Sequence, residues 1–345
     1  MNSTTQSNAT EEMGSSTISS PVWTYVQTTE IVIAAVGVIS NLVVIIVMIG
    51  IPHLRSQLTF RLTASLAVAD LLASIFLVPR TLRGFFAVPS GIAGEIYCRT
   101  VKATILWVSF VASTYTLIAI TMERYVAIVH PLRYSGHKGR VSAVLIIFVV
   151  WLLAFIMQSF CVYNNSYNPT IDSCSYKWPF GDWYQTFAGV GLFFATYFVP
   201  GVILLVAYAR IFLALRESER KIGQGSADHG KTVTPARIRT RKKVIKMFSV
   251  VCLAFLICWG PNQFLFLILN FKSEIHVSDV IYNFTRVLAG LNSCLNPFIY
   301  AFWSKPFRSG IVLIFCRCKN KVGVLESQSG PSRVNTTVGG PGNHA

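Results

Sequence analysis

The sequence predicts an all-α membrane protein, a bundle of seven transmembrane helices followed by a short amphipathic eighth helix. Composition is the first ground: 53% of the residues are apolar and the mean hydropathy is positive, which suits a polytopic membrane protein and not a soluble domain. Seven apolar runs are the second, at about 29–51, 59–84, 99–126, 141–162, 185–210, 245–270 and 278–302. Each is close to the ~20 residues that span a bilayer core. Charge placement is the third. Of 30 Lys and Arg, seven (Arg80, Arg83, Arg99, Lys102, Lys177, Lys272, Arg286) fall on the side that the N-terminus occupies. The other 23 lie in the opposite loops and the tail, so the positive-inside rule puts the N-terminus outside the cell.

Residues 1–27 are rich in Ser, Thr and Asn and hold no Lys or Arg, a composition expected to stay disordered outside the membrane. They contain no apolar stretch of signal-peptide type, so the first span is expected to target the chain. Asn2-Ser3-Thr4 and Asn8-Ala9-Thr10 fit the N-glycosylation pattern. The helical bundle is expected over 28–303. After it, 304–318 alternates basic and apolar residues, as an interfacial helix does. Cys316 and Cys318 behind it are candidates for palmitoylation. Residues 319–345 are polar, rich in Gly and Ser, and expected to be a disordered cytoplasmic tail.

The eight Cys divide by compartment. Cys98, Cys161 and Cys174 fall toward the oxidising side. Cys98 with Cys174 is the expected disulfide; Cys98 with Cys161 is the rival, although Cys161 lies within the end of the fourth span. Cys252, Cys258 and Cys294 are expected to be small buried hydrophobes.

Polar groups inside the spans point to function, because hydrocarbon leaves them no partner except other helices or trapped water. Asp70 is a mid-span carboxylate and needs a cation or a proton. Ser113, Asn292 and Asn296 are the neutral oxygen donors placed to share such an ion. Glu123-Arg124-Tyr125 ends the third span, where an Arg able to exchange partners makes a two-state element. The last span carries Asn292-Ser293-Cys294-Leu295-Asn296-Pro297-Phe298-Ile299-Tyr300. Pro297 frees a carbonyl and bends the helix there, beside Tyr300 with its hydroxyl.

Taken together these residues resemble the rhodopsin-like (class A) G-protein-coupled receptors over about 28–318. The ordered set carries it: Asn41, Leu66-Ala67-Val68-Ala69-Asp70, Glu123-Arg124-Tyr125 with Pro131-Leu132, Trp151, Pro200, Tyr208, Cys258-Trp259-Gly260-Pro261 and Asn296-Pro297-Phe298-Ile299-Tyr300. The resemblance implies an allosteric sodium ion at Asp70, Ser113, Asn292 and Asn296, and no other cofactor. It implies that Trp259 and Phe255 relay agonist binding past Pro261, and that Arg124, Tyr208 and Tyr300 rearrange to admit a heterotrimeric G protein. Arrestin is the other expected cytoplasmic partner, and membrane lipid the surrounding one. Two departures stand out. The sequence has Thr59-Phe60-Arg61-Leu62 where many relatives place an Asn, and Cys98 to Arg124 spans one residue more than expected, which a bulge in the third span would absorb.

Within that resemblance the ligand is expected to be a neuropeptide or peptide hormone. An amine receptor would place an Asp 18 residues before Arg124, and this chain has Leu106, flanked by Ile105 and Trp107. The outer ends offer cations instead: Arg80, Arg83, Lys102 and Arg286. With Leu106, Trp259 and Gln263 they form the expected pocket. Arg286 needs an anion, from Glu30, Glu95, a loop acid or the ligand, and a fork of donors suits an acidic residue or a free C-terminus. The alternative is a receptor for an anionic metabolite or lipid.

Other classes fare worse. The net charge of +16 is of the sign a nucleic-acid partner would need, but its one-sided placement fits anionic lipid and an acidic cytosolic partner. The six His lie in loops or at helix ends without His-Glu-x-x-His, so no enzyme is expected. Paired half-repeats of a transporter are not evident. The expected location is the plasma membrane.

Overall fold

The computed structural model describes residues 21–82, 85, 87–131, 134, 142–223, 235–271 and 277–315. Asn2, Asn8, Arg83, Cys316, Cys318 and the whole 319–345 segment lie outside them. Seven long helices make the bundle. α1 runs Pro21–Gly50 and α2 runs Leu58–Thr81. α3 is composite: Gly91–Ile96, a π-helical stretch Tyr97–Thr104, then Ile105–Val129. α4 spans Ala143–Gln158 and is followed by a turn, Phe160–Asn164. The loop beyond it folds into an antiparallel hairpin of β1, Asn165–Asn168, and β2, Ser173–Tyr176. α5 is also composite, with Asp182–Phe193, π-helical Phe194–Phe198 and Val199–Gly223. α6 runs Pro235–Phe271, α7 Asp279–Trp303 and α8 Lys305–Phe315.

Polarity runs inside out, and this identifies the solvent. Val144, Leu145, Phe148 and Val149 of α4 face outward, while Asn41, Asp70, Thr121 and Asn296 are buried. A water-soluble bundle would reverse that placement. Six described helices are long and apolar enough to cross a membrane. α7, at 25 residues, is about 37 Å long and packs against α1, α2 and α6. It spends its composition on polar residues that face those neighbours: Asn283, Asn292, Ser293 and Asn296 are all buried.

The helices end differently from the expected boundaries. α1 begins at Pro21, so it reaches into the 1–27 segment expected to be disordered. α2 stops at Thr81 rather than 84. α5 and α6 run on to Gly223 and from Pro235, because amphipathic continuation beyond the bilayer leaves no apolar signal to mark their ends. The π-helical Tyr97–Thr104 absorbs the extra residue between Cys98 and Arg124: a π turn takes one more residue than an α turn without breaking the helix. Close approach of α1 and α2 requires Gly37, since a Cβ there would collide with Ser74 Oγ. Gly310 lets α8 lie on α1, where a Cβ would sit 2.6 Å from Val47 and 2.7 Å from Ile51.

Candidate functional site

Polar and aromatic groups form three tiers along the bundle axis. The first lies at the end that carries the hairpin. Cys98 of α3 is disulfide-bonded to Cys174 of β2, with Cα atoms 5.4 Å apart. Cys161, in the short helical turn after α4, is free and buried. The bond fastens the hairpin over the mouth of the bundle, helped by Glu95, which pairs with Arg99 at 2.8 Å and accepts the Tyr167 amide at 2.5 Å. Lys102 reaches the Cys174 carbonyl at 3.3 Å.

Beneath the hairpin, Arg80 of α2 lies over the face of Trp107, 5.1 Å from its centroid. Trp107 in turn meets Trp259 of α6 at 6.2 Å and Phe110 at 5.8 Å, and Phe110 is edge-on to Trp259 at 4.8 Å. Such aromatic pairs are each worth about 0.5–1.5 kcal/mol beyond burial. Leu106 is buried to 1% exposure and Gln263 is also buried. Arg286 has found its anion within the chain. Its Nη2 donates to Glu30 Oε2 at 2.8 Å and its Nη1 to Asn283 Oδ1 at 3.3 Å, while Thr81 Oγ1 donates to the same Glu30 oxygen at 2.7 Å. Of the acids expected to meet Arg286, α1 supplies the partner and Glu95 does not.

The middle tier is Asp70. Its Oδ1 accepts from Ser113 Oγ at 2.8 Å and its Oδ2 from Asn296 Nδ2 at 2.7 Å. Both donors are neutral, so among the described residues the fully buried carboxylate has hydrogen bonds but no basic counter-ion at contact distance. Asn292 is buried one turn away, on the same helix as Asn296. The Asp70 oxygens, Ser113 and Asn292 make a hard, oxygen-rich donor set that suits a small cation. Asn41 braces the tier by donating to Gly37 O and Ser293 O at 2.9 and 2.8 Å.

The third tier lies at the α8 end. Arg124 Nε faces Glu123 Oε2 at 3.1 Å, and Arg124 Nη2 also donates to Thr59 Oγ1. The Thr59 hydroxyl in turn donates to Glu123 Oε2 at 2.9 Å, and Tyr134 donates to Glu123 Oε1 at 2.8 Å. Desolvation first, then the bond to Glu123, raises the Tyr134 hydroxyl above its ordinary range, so it remains a donor. Tyr208 of α5 accepts from Thr121 at 3.4 Å. Tyr300 is 2% exposed, its ring against Phe248 and Phe307, its hydroxyl without a hydrogen-bond partner among the described residues. Tyr125 packs on the Ile211–Leu215–Ile245 cluster of α5 and α6. Phe255 meets Tyr197 at 6.0 Å, and Pro261 and Pro297 lie inside α6 and α7.

Thr59, Tyr134 and Trp107 belong to these tiers, yet sequence reasoning assigned none of them a role. Thr59 stood out only as a departure from a pattern, and Tyr134 lies 11 residues beyond Glu123, outside any helical repeat. A recess of about 450 Å³, lined by Tyr115, Phe194, Ala195 and Pro200 among others, opens between α3 and α5 and is separate from all three tiers.

Comparison with known proteins agrees with this arrangement. The family model for the 7 transmembrane receptor (rhodopsin family) matches residues 40–300. The Allatostatin-A receptor of Bombyx mori is 32% identical over 284 residues, covering 80% of this chain and 75% of that receptor. Galanin receptor 2a of Danio rerio is 28% identical over 292 residues (83% and 77%). The RYamide receptor of Drosophila melanogaster is 29% identical over 316 residues (88% and 66%).

Proposed function

The chain belongs to the rhodopsin family of 7 transmembrane receptors, and from that premise we propose that it is a plasma-membrane receptor for a peptide, coupled to heterotrimeric G proteins. The observation that carries the reading is the contact path of Arg80, Trp107 and Trp259 under the disulfide-held hairpin. It offers a ligand at the hairpin end, taken as extracellular, a way to move α6. The relatives above are named as receptors for allatostatin-A, galanin and RYamide, which favours a peptide over an anionic metabolite. Agonist would shift an existing equilibrium toward a state open at the α8 end. There the basic stretch of α6, with Lys242, Lys243 and Lys246 exposed, would flank the G protein and later arrestin. α8 would lie on anionic lipid, with Cys316 and Cys318 as palmitoylation sites and Asn2 and Asn8 as glycosylation sites. The test is a cell-based G-protein activation screen with allatostatin-A, galanin, cholecystokinin and RYamide peptides. A submicromolar response from one of them supports the reading, and activation by small carboxylates alone would replace it.

A sodium ion fits the middle tier. Asp70, Ser113, Asn292 and Asn296 would hold it, and it would supply the positive charge that the buried carboxylate lacks. Sodium should therefore stabilise the state with low agonist affinity. We expect added sodium to weaken agonist binding about 10-fold in the parent, a coupling of ~1.4 kcal/mol, and to leave Asp70→Asn unaffected. Equal sodium sensitivity in both would remove the ion from this site.

The third tier acts as a latch. Tyr134→Phe deletes one hydrogen bond to the Glu123 carboxylate, a loss of about 1.5–3 kcal/mol for a charged acceptor. Basal G-protein signalling per surface receptor should rise several-fold, and no change in it would show that Tyr134 is only an anchor.

A further inference from the structure

Among the described residues, Arg286 is the only first-tier cation shown bonded to a buried carboxylate, and the carboxylate's own bonding is incomplete. Glu30 Oε2 accepts twice, from Arg286 and from Thr81, while Glu30 Oε1 is buried and has no hydrogen-bond partner among the described residues. Glu30 is 1% exposed, so water does not serve that oxygen from the surface. A buried acceptor left bare is costly. The pair nonetheless sits near the mouth: Thr81 is the last residue of α2, and Arg286 lies about two turns into α7. Gln27 Nε2 reaches the Thr81 carbonyl at 3.5 Å, closing the site from the α1 side.

The charge state decides what fits. A lone arginine would favour a carboxylate, as the sequence suggested. Glu30 already neutralises Arg286, and a second carboxylate brought beside it would put two like charges in one desolvated place. The complement of a guanidinium with an adjacent bare carboxylate oxygen is a neutral group that carries one acceptor and one donor. We propose that the Glu30–Arg286–Thr81 cluster is a subsite for a primary carboxamide of the peptide ligand, its C=O accepting from Arg286 and its N–H donating to Glu30 Oε1. The carboxamide comes either from an amidated C-terminus or from an Asn or Gln side chain. This rests on the peptide-receptor reading above. Arg80, next to Thr81 in the chain, stacks on Trp107, which touches Trp259, so occupancy at Thr81 is one residue from the path to α6.

The experiment uses the full-length receptor in cells and the same four peptides, each as C-terminal amide, free acid and methyl ester, and each with its Asn and Gln changed to Asp and Glu. A site built to hydrogen-bond a group rejects the analogue that lacks it strongly, so a drop in potency of at least ~30-fold is expected. Loss with the free acid and the methyl ester assigns the C-terminal amide. Loss with the Asp and Glu peptides assigns a side-chain carboxamide. Glu30→Gln then removes the buried carboxylate bonded to Arg286, and the potency ratio of acid to amide should move at least ~10-fold toward the acid, which brings a carboxylate back to the guanidinium. A merely structural role for Glu30 would lower both forms alike. Should an active peptide tolerate every one of these changes within ~3-fold, the carboxamide subsite is wrong and the peptide reading stands. Silence from all peptides in all forms would overturn both.

Discussion

Arg286→Ala should destabilise the receptor by about 3–5 kcal/mol, the cost of removing one member of a buried ion pair and leaving the other charge unpaired. Glu30 would then keep only the Thr81 hydroxyl at 2.7 Å, with its second oxygen still bare. The measurement is the thermal midpoint of purified receptor in detergent, together with the surface level in cells. The double variant Glu30→Leu with Arg286→Leu should recover most of the loss, because a buried pair replaced by apolar groups of similar volume is often neutral. Recovery in the double variant is what separates charge burial from lost packing. A single variant within ~0.5 kcal/mol of the parent, the range of ordinary surface changes, would mean that the pair is hydrated and not buried.

The second large effect is expected from Cys98→Ser or Cys174→Ser. Their bond closes a loop with a sequence separation of 76, for which chain entropy alone gives about 4.5 kcal/mol. The consequence is local as well as global. Without the bond, β2 is no longer fastened to α3, and the Lys102 contact with the Cys174 carbonyl loses its anchor. We expect a fall in both surface level and peptide potency, with Cys161→Ser neutral in both. Equal damage from Cys161→Ser would revive the rival pairing.

The two effects fall on opposite sides of what the chain reveals by itself. The free, buried Cys161 and the bonded Cys98 and Cys174 were separable in the sequence, because one of them lies inside an apolar run and a span fixes depth. The partner of Arg286 was not. Glu30 was one of several acids within reach of the same end of the bundle, and the contact joins residues 256 apart. Which acid arrives depends on the rotation of α1 about its own axis, and α1 is apolar over most of its length, so periodicity barely marks its inward face.

Asp70, Asn296, Glu123, Arg124 and the prolines announced themselves, because hydrocarbon makes each polar or helix-breaking residue expensive and hence conspicuous against its neighbours. The seven spans and the extra residue in α3 were legible for the same reason: length and spacing are properties of one segment at a time. The tertiary structure alone decided the pairings across helices, such as Ser113 and Asn296 on one carboxylate, Thr59 and Tyr134 on another. It also decided that Arg286 is neutralised within the chain. A helix repeats every 3.6 residues and shows its own faces, but which residues meet across a bundle is set by how the helices rotate and tilt against each other.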